Sequence, residues 1–147
     1  MKYIECPETY GTGGDQVTVF LAGGITGCPD WQMEMALRLS DTDLVLFNPR
    51  RAAFPINDPL ATEGQIVWEY DALRRADRIL FWFPAENAAG CPIALFELGY
   101  WLGQSKRLAI GVEPGYVREQ DIRIQVELER PELHVVSCLA DLAEMIR

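Results

Sequence analysis

Along this chain, short runs of consecutive apolar residues alternate with longer stretches in which apolar and polar positions recur at helical spacing. Val17-Thr18-Val19-Phe20-Leu21-Ala22 is the first such run, and it ends in Gly23-Gly24, the pattern of a buried parallel strand entering a tight loop. Leu44 to Phe47, closed by Asn48-Pro49, predicts a second strand. Arg78 to Phe83 predicts a third, almost wholly apolar and therefore central. Leu108 to Val112 and His134 to Val136 predict the fourth and fifth. Between them fall helices from Pro29-Asp30 through about Leu39, from Thr62 to about Arg75, from Pro92 to about Gln104, from Ile122 to Glu129 and from Leu139 to Ile146. Pro92 stands where a first helical residue belongs. Residues 1–16 carry the turn-formers Pro7, Gly11, Gly13 and Gly14 and predict a flexible leader, with order beginning at Val17. Residues 50–61 hold two further prolines and no period, which predicts a long loop of the kind that often serves function.

Strict alternation of strand and helix predicts a single α/β domain over residues 17–147, with a parallel sheet and helices on both faces. Right-handed crossovers and five strands favour the flavodoxin-like order 2-1-3-4-5. In that order the first and third strands are neighbours whose outgoing connections diverge, and ligands bind in the crevice between them. The Gly23-Gly24 turn and the loop from Pro84 to Cys91 are predicted to meet there.

The chain has 147 residues, long enough for one real core, and 22 acidic against 13 basic side chains give a net charge of −9. That balance argues against a protein that neutralises nucleic-acid phosphates and suits a small substrate. Cys6, Cys28, Cys91 and Cys138 are scattered without a C-x-x-C pair, so neither a zinc site nor a disulfide framework is indicated. The first residues lack a basic region followed by an apolar run, and no apolar stretch reaches membrane-spanning length, so a cytoplasmic protein is expected.

One position breaks the pattern. Glu97 is a single carboxylate in the run Cys91-Pro92-Ile93-Ala94-Leu95-Phe96-Glu97-Leu98-Gly99-Tyr100-Trp101. Desolvating a carboxylate costs free energy unless a partner or a task holds it, which makes Glu97 the leading catalytic candidate. Its place near the start of a helix is expected to help keep it ionised. Two neighbouring carboxylates can perform retaining glycosyl transfer, and the preceding helix offers Glu69 and Asp71, which point in different directions. Taken alone, both also fit a solvated helix face paired with Arg74 or Arg75. Gly23-Gly24 is not a G-x-G-x-x-G fingerprint and no Walker A sequence follows, so no dinucleotide or ATP is indicated. His134, the only histidine, is remote from the other features. Cys91, at a helix N-terminus, is placed for a lowered thiol pKa.

Three segments resemble the nucleoside 2-deoxyribosyltransferases and their relatives that cleave nucleotide N-glycosidic bonds: FLAGGI at the first strand, Ala76-Asp77 before an apolar strand, and FELGYWLG around Glu97. Asn48-Pro49-Arg50 and the stretch from Gly115 to Gln125 are similar to a bacterial and phage branch. The resemblance implies a doubly wound α/β enzyme that moves or hydrolyses the bond between a (deoxy)ribose and a nucleobase through a covalent glycosyl-Glu97 intermediate, without metal or organic cofactor. Glu69 matches the second carboxylate, commonly an aspartate, with Asp71 its alternative. Cys91 stands where a polar or acidic residue is frequent. Gly23, Gly24 and Ile25 would line the sugar end, Trp31 or Trp68 would flank the base, and Asn48, Arg50, Arg51 and Arg118 are further substrate-binding candidates. The expected partners are a nucleoside or nucleotide and a free nucleobase, with no nucleic-acid polymer and no membrane. A homo-oligomer with a shared site is implied, with Tyr116, Arg118 and Asp121 as the residues lent to a neighbour. The rival expectations are a nucleoside 5′-monophosphate N-glycoside hydrolase, a nucleotide-binding or sensing module without turnover on the same fold, and a flavin-binding flavodoxin-like protein. The strand-1 loop lacks the Ser/Thr run that the last would favour.

Overall fold

Phe20 and Ala22 face one hydrophobic core while Val19 and Leu21 face another, so their strand is apolar on both sides and needs cover from both. The computed structural model describes residues 1–11, 14–55 and 57–147. Its elements run β1 (Lys2–Glu5), β2 (Thr18–Gly23), α1 (Trp31–Arg38), β3 (Val45–Asn48), α2 (Ala61–Arg75) and β4 (Arg78–Phe83). They continue with α3 (Pro92–Leu102), β5 (Arg107–Val112), α4 (Glu119–Glu129), β6 (Val135–Val136) and α5 (Leu139–Glu144). The strands form one parallel sheet in the order β1-β3-β2-β4-β5-β6. α2, α3 and α4 cover one face through Leu73, Leu98, Trp101 and Val126, while α1 and α5 cover the other through Met35 and Leu142.

The expected α/β class and the crossover between the first two expected strands hold, but the sheet has six strands rather than five in the order 2-1-3-4-5. The additional strand lies in the expected flexible leader. Lys2 to Glu5 pair in parallel with Val45 to Asn48, Ile4 is buried against the core, and the Cys6 amide extends the pairing to the Asn48 carbonyl at 3.0 Å. An edge strand needs only one ladder and one apolar anchor, so it leaves little periodicity to read. Gly13, one of the expected turn-formers, lies outside the described residues.

Local chemistry sets the helix ends. The Asp30 side chain accepts from the Met33 amide and opens α1, and Pro92 occupies the first turn of α3. α4 begins at Glu119, a turn before the expected Ile122. At the amino ends of β2 and β4, Asp77 Oδ2 accepts from the Thr18 amide at 2.8 Å and from Thr18 Oγ1 at 2.7 Å. The Asp77 amide donates back to Thr18 Oγ1 at 2.9 Å. The Ala76-Asp77 pair therefore staples the two strands at the edge away from the Gly23-Gly24 turn. No helix among the described residues is long and apolar enough to cross a membrane.

Candidate active site

β2 and β4 lie side by side, and their outgoing loops separate to leave a cavity of about 260 Å³ at the carboxyl edge of the sheet. Gly23, Gly24, Ile25, Thr26 and Cys28 form one wall, and Ala89, Cys91 to Ala94 and Glu97 form the opposite one. α2 contributes Glu69, with Phe20 and Pro49 completing the lining. The cavity is therefore where the topology of a doubly wound sheet puts a ligand.

Close packing fixes both loops. A side chain on Gly23 would collide with the Trp82 carbonyl and with the Trp31 indole at 2.7 Å. One on Gly24 would stand 2.5 Å from Cys28 Sγ and 2.7 Å from Cys91 Sγ. Gly27, in the left-handed region at φ +66°, brings its loop against Ala88 of the opposite wall. Cys91 also adopts a left-handed conformation, at φ 53°, and turns the chain into α3.

Glu69 and Glu97 face the same cavity, and neither is ordinary. Burial, with the Glu69 charge second, pushes the Glu97 carboxyl up to about 8. That reverses the expected effect of the helix start, because α3 places Glu97 a turn and a half inward, where desolvation outweighs the fading helix dipole. Burial also raises Glu69, opposed by a hydrogen bond from Gln65 Nε2 at 2.6 Å. Glu97 has no hydrogen-bond or ion-pair partner among the described residues. The lowered pKa expected for Cys91 is likewise reversed: burial pushes the thiol up to about 12, with Cys28 beside it adding to the rise.

Of the expected site residues, Gly23, Gly24, Ile25, Cys91, Glu69 and Glu97 come together. Asp71 does not. It lines a separate small cavity with Glu8, Tyr10, Trp68 and Arg75, because two residues along a helix turn the side chain by more than a quarter circle. Trp31 lies behind the glycine turn and does not line the cavity: it is 2% exposed and its indole N–H donates to the Gly24 carbonyl at 2.8 Å. Trp68 packs on Phe20 and Phe47 and donates to the Glu8 carbonyl. Asn48 is buried and bonded to Tyr3 and to the Arg50 backbone. Arg50 spends its guanidinium on the carbonyls of Cys28 and Pro29 at 2.9 and 2.8 Å and on Gln32 Oε1. Arg51 stacks over Phe54, away from the cavity.

The stretch expected to serve a neighbouring subunit divides. Tyr116 is interior, packed on Phe83 with its hydroxyl donating to the Gly90 carbonyl at 2.7 Å, so it braces this chain's own loop. Arg118 and Asp121 are exposed, pair at 3.5 Å and border a groove between α3 and α4. Residues missed by sequence reasoning include Thr26, Cys28 and Pro49, all adjacent to segments it had singled out. Gln65 was missed too, although its position one helical turn before Glu69 was a usable signal.

A doubly wound α/β protein with paired carboxylates in a small cavity at its switch point is thus defined by geometry alone. Residues 16–116 match the model of the nucleoside 2-deoxyribosyltransferase-like family, and the chain belongs to that family. No curated protein sequence matches it.

Proposed function

We propose that this protein is a nucleoside 2-deoxyribosyltransferase-like enzyme that cleaves or exchanges the N-glycosidic bond of a (deoxy)ribonucleoside through a glycosyl-Glu97 intermediate. The observation that carries the reading is the meeting of Glu97 and Glu69 in one cavity of about 260 Å³ that the Gly23-Gly24 turn also lines. The ionised Glu97 carboxylate attacks C1′, the C1′–N bond breaks, and the electron pair leaves with the base, which takes a proton from Glu69. An incoming base or water then attacks the opposite face of C1′, gives its proton to Glu69 and releases Glu97.

The electrostatics suit this division. Two coupled carboxyls titrate as a pair, and between their two steps the pair holds one proton. Burial raises both carboxyls, and the Gln65 donor opposes the rise at Glu69. The productive arrangement holds that proton on Glu69 and leaves Glu97 ionised. Turnover should therefore be bell-shaped in pH, with an alkaline limb at about 8.

The lining also favours a substrate without a 5′-phosphate. No Lys or Arg lines the cavity among the described residues, and Arg50, one of the expected phosphate ligands, is committed to two carbonyls and Gln32. Two carboxyls would repel a dianion. The cytoplasmic location and the shared-site oligomer remain part of the same proposal, the second now without Tyr116.

The test is base exchange and base release on deoxynucleosides, ribonucleosides and their 5′-monophosphates, monitored by chromatography. Nucleosides should turn over faster than monophosphates, and Glu97→Ala should reduce turnover by about 10³-fold or more. Turnover within tenfold of wild type in that variant would refute the mechanism. Retained ligand binding without turnover on any substrate would favour a binding module.

A further inference from the structure

Gln65 holds together three segments that are distant in sequence. Its Nε2 donates to Glu69 Oε1 and to the Pro49 carbonyl, both at 2.6 Å, while its Oε1 accepts from Cys6 Sγ at 3.1 Å. The orientation of the amide is determined by chemistry. A backbone carbonyl can only accept, so the nitrogen must face Pro49, and the same nitrogen then meets Glu69. The thiol on the other side supplies the donor that the amide oxygen needs. A flipped amide would set its oxygen against two acceptors.

We propose that Gln65 is a positioning residue for Glu69: by engaging Oε1 it fixes the carboxyl plane and leaves Oε2 as the oxygen that exchanges a proton with the leaving base. The inference rests on the catalytic reading of Glu69 given above, and it assigns β1 a role in the site. β1 pairs with β3 and thereby delivers Cys6 to the amide, while β3 ends at Pro49. An edge strand that contributes no lining to the cavity thus sets the geometry of one of its two carboxyls. Burial alone would raise Glu69 further, and the Gln65 donor opposes it, so Gln65 also determines how readily Glu69 gives up its proton.

Gln65→Leu keeps the size of the side chain and removes both donors. With Glu69 free to rotate, kcat should fall by about 10-fold or more with KM changed little, since a misplaced acid affects the transition state rather than binding. The acid limb of the pH profile should move to higher pH, because the ionised form of Glu69 has lost its donor. Cys6→Ala should produce a smaller change in the same direction, as Pro49 still fixes the amide. A second readout is independent of turnover: carbon-13 titration of the glutamate carboxyls, with Glu69 identified by its absence in Glu69→Gln. The Glu69 titration should move upward in Gln65→Leu. If it does not move in a folded variant, the inference is wrong even when the enzyme is active. If it moves but wild-type protein releases no base from any nucleoside, the catalytic reading fails while the Gln65 contact stands. Should Gln65→Leu not fold, Gln65→Met carries the same test.

Discussion

The two edges of the sheet carry opposite charge and treat it differently. At the amino edge a cavity of about 650 Å³ is lined by Arg74, Arg75, Arg78, Lys106 and Arg107, with Asp77 as its carboxylate. At the carboxyl edge the smaller cavity is lined by Glu69 and Glu97 and by no cation among the described residues. Three of the cations of the amino edge have structural occupations. Lys106 Nζ donates to the Arg74 and Ala76 carbonyls at 3.0 and 2.6 Å, where α2 ends and its dipole is negative. Arg78 reaches the Ile146 carbonyl at 2.7 Å, Arg74 stacks 3.4 Å over the Tyr70 ring, and Asp77 is held by Thr18. Glu97 at the other edge has no such occupation, and its protonation is displaced to about 8. A charge with partners accounts for itself through the fold. A desolvated carboxyl facing a cavity without a partner is a cost that stability does not explain, which is why the catalytic proposal rests on this edge.

The contrast can be tested from both sides. After the loss expected for Glu97→Ala, the next largest effect is expected at Glu69. Glu69→Gln keeps the shape and removes the transferable proton, so turnover should fall by about 10²-fold. The same change leaves no Glu69 proton to lose, so the alkaline limb should disappear and leave a profile that rises as Glu97 ionises and then levels. A bell-shaped profile surviving in Glu69→Gln would assign the proton to another group.

A smaller effect concerns the cost of the buried carboxyl. Glu97 binds its proton more tightly in the folded chain than its ordinary value of 4.5, with a folded value of about 8. A raised value means that the native state holds more protons than the unfolded state between those limits, so stability should fall as pH rises from about 4.5 through 8. Glu97→Gln should flatten that fall and melt higher than wild type at alkaline pH. Parallel melting curves for the two proteins would show that Glu97 is not held at a cost. The smallest effect belongs to the amino edge. Lys106→Met should lower stability by about 1 kcal/mol through loss of the carbonyl contacts, with turnover per folded molecule unchanged. A selective loss of turnover would break the distinction between the edges.

Much of this was legible in one dimension because it rests on local rules. The strand runs around Phe20 and Phe81 read as buried on both faces because they are apolar at every position, and Asp30 and Pro92 announced their helices by capping chemistry. Glu97 was conspicuous for the same reason, a charge where the pattern has none. What failed was whatever depended on distance through space. β1 could not be read because its partner strand begins 43 residues later, at Val45 opposite Lys2. Trp31 and Arg50 looked like ligands for base and phosphate, but an indole N–H and a guanidinium serve equally well to satisfy loop carbonyls. Only the packed structure distinguishes the two uses.

Glu97 and Glu69 divide along the same line. The sequence by itself determined the fold class, through the alternation of apolar runs and helical spacing, and it isolated Glu97, because an unsupported charge in an apolar run is visible without coordinates. The tertiary structure alone decided that Glu69 rather than Asp71 faces it, since helix phase relative to a neighbouring element is a three-dimensional quantity. It also raised Glu97, because desolvation and the proximity of a second carboxyl arise only once α2 and α3 are packed on the same face of the sheet.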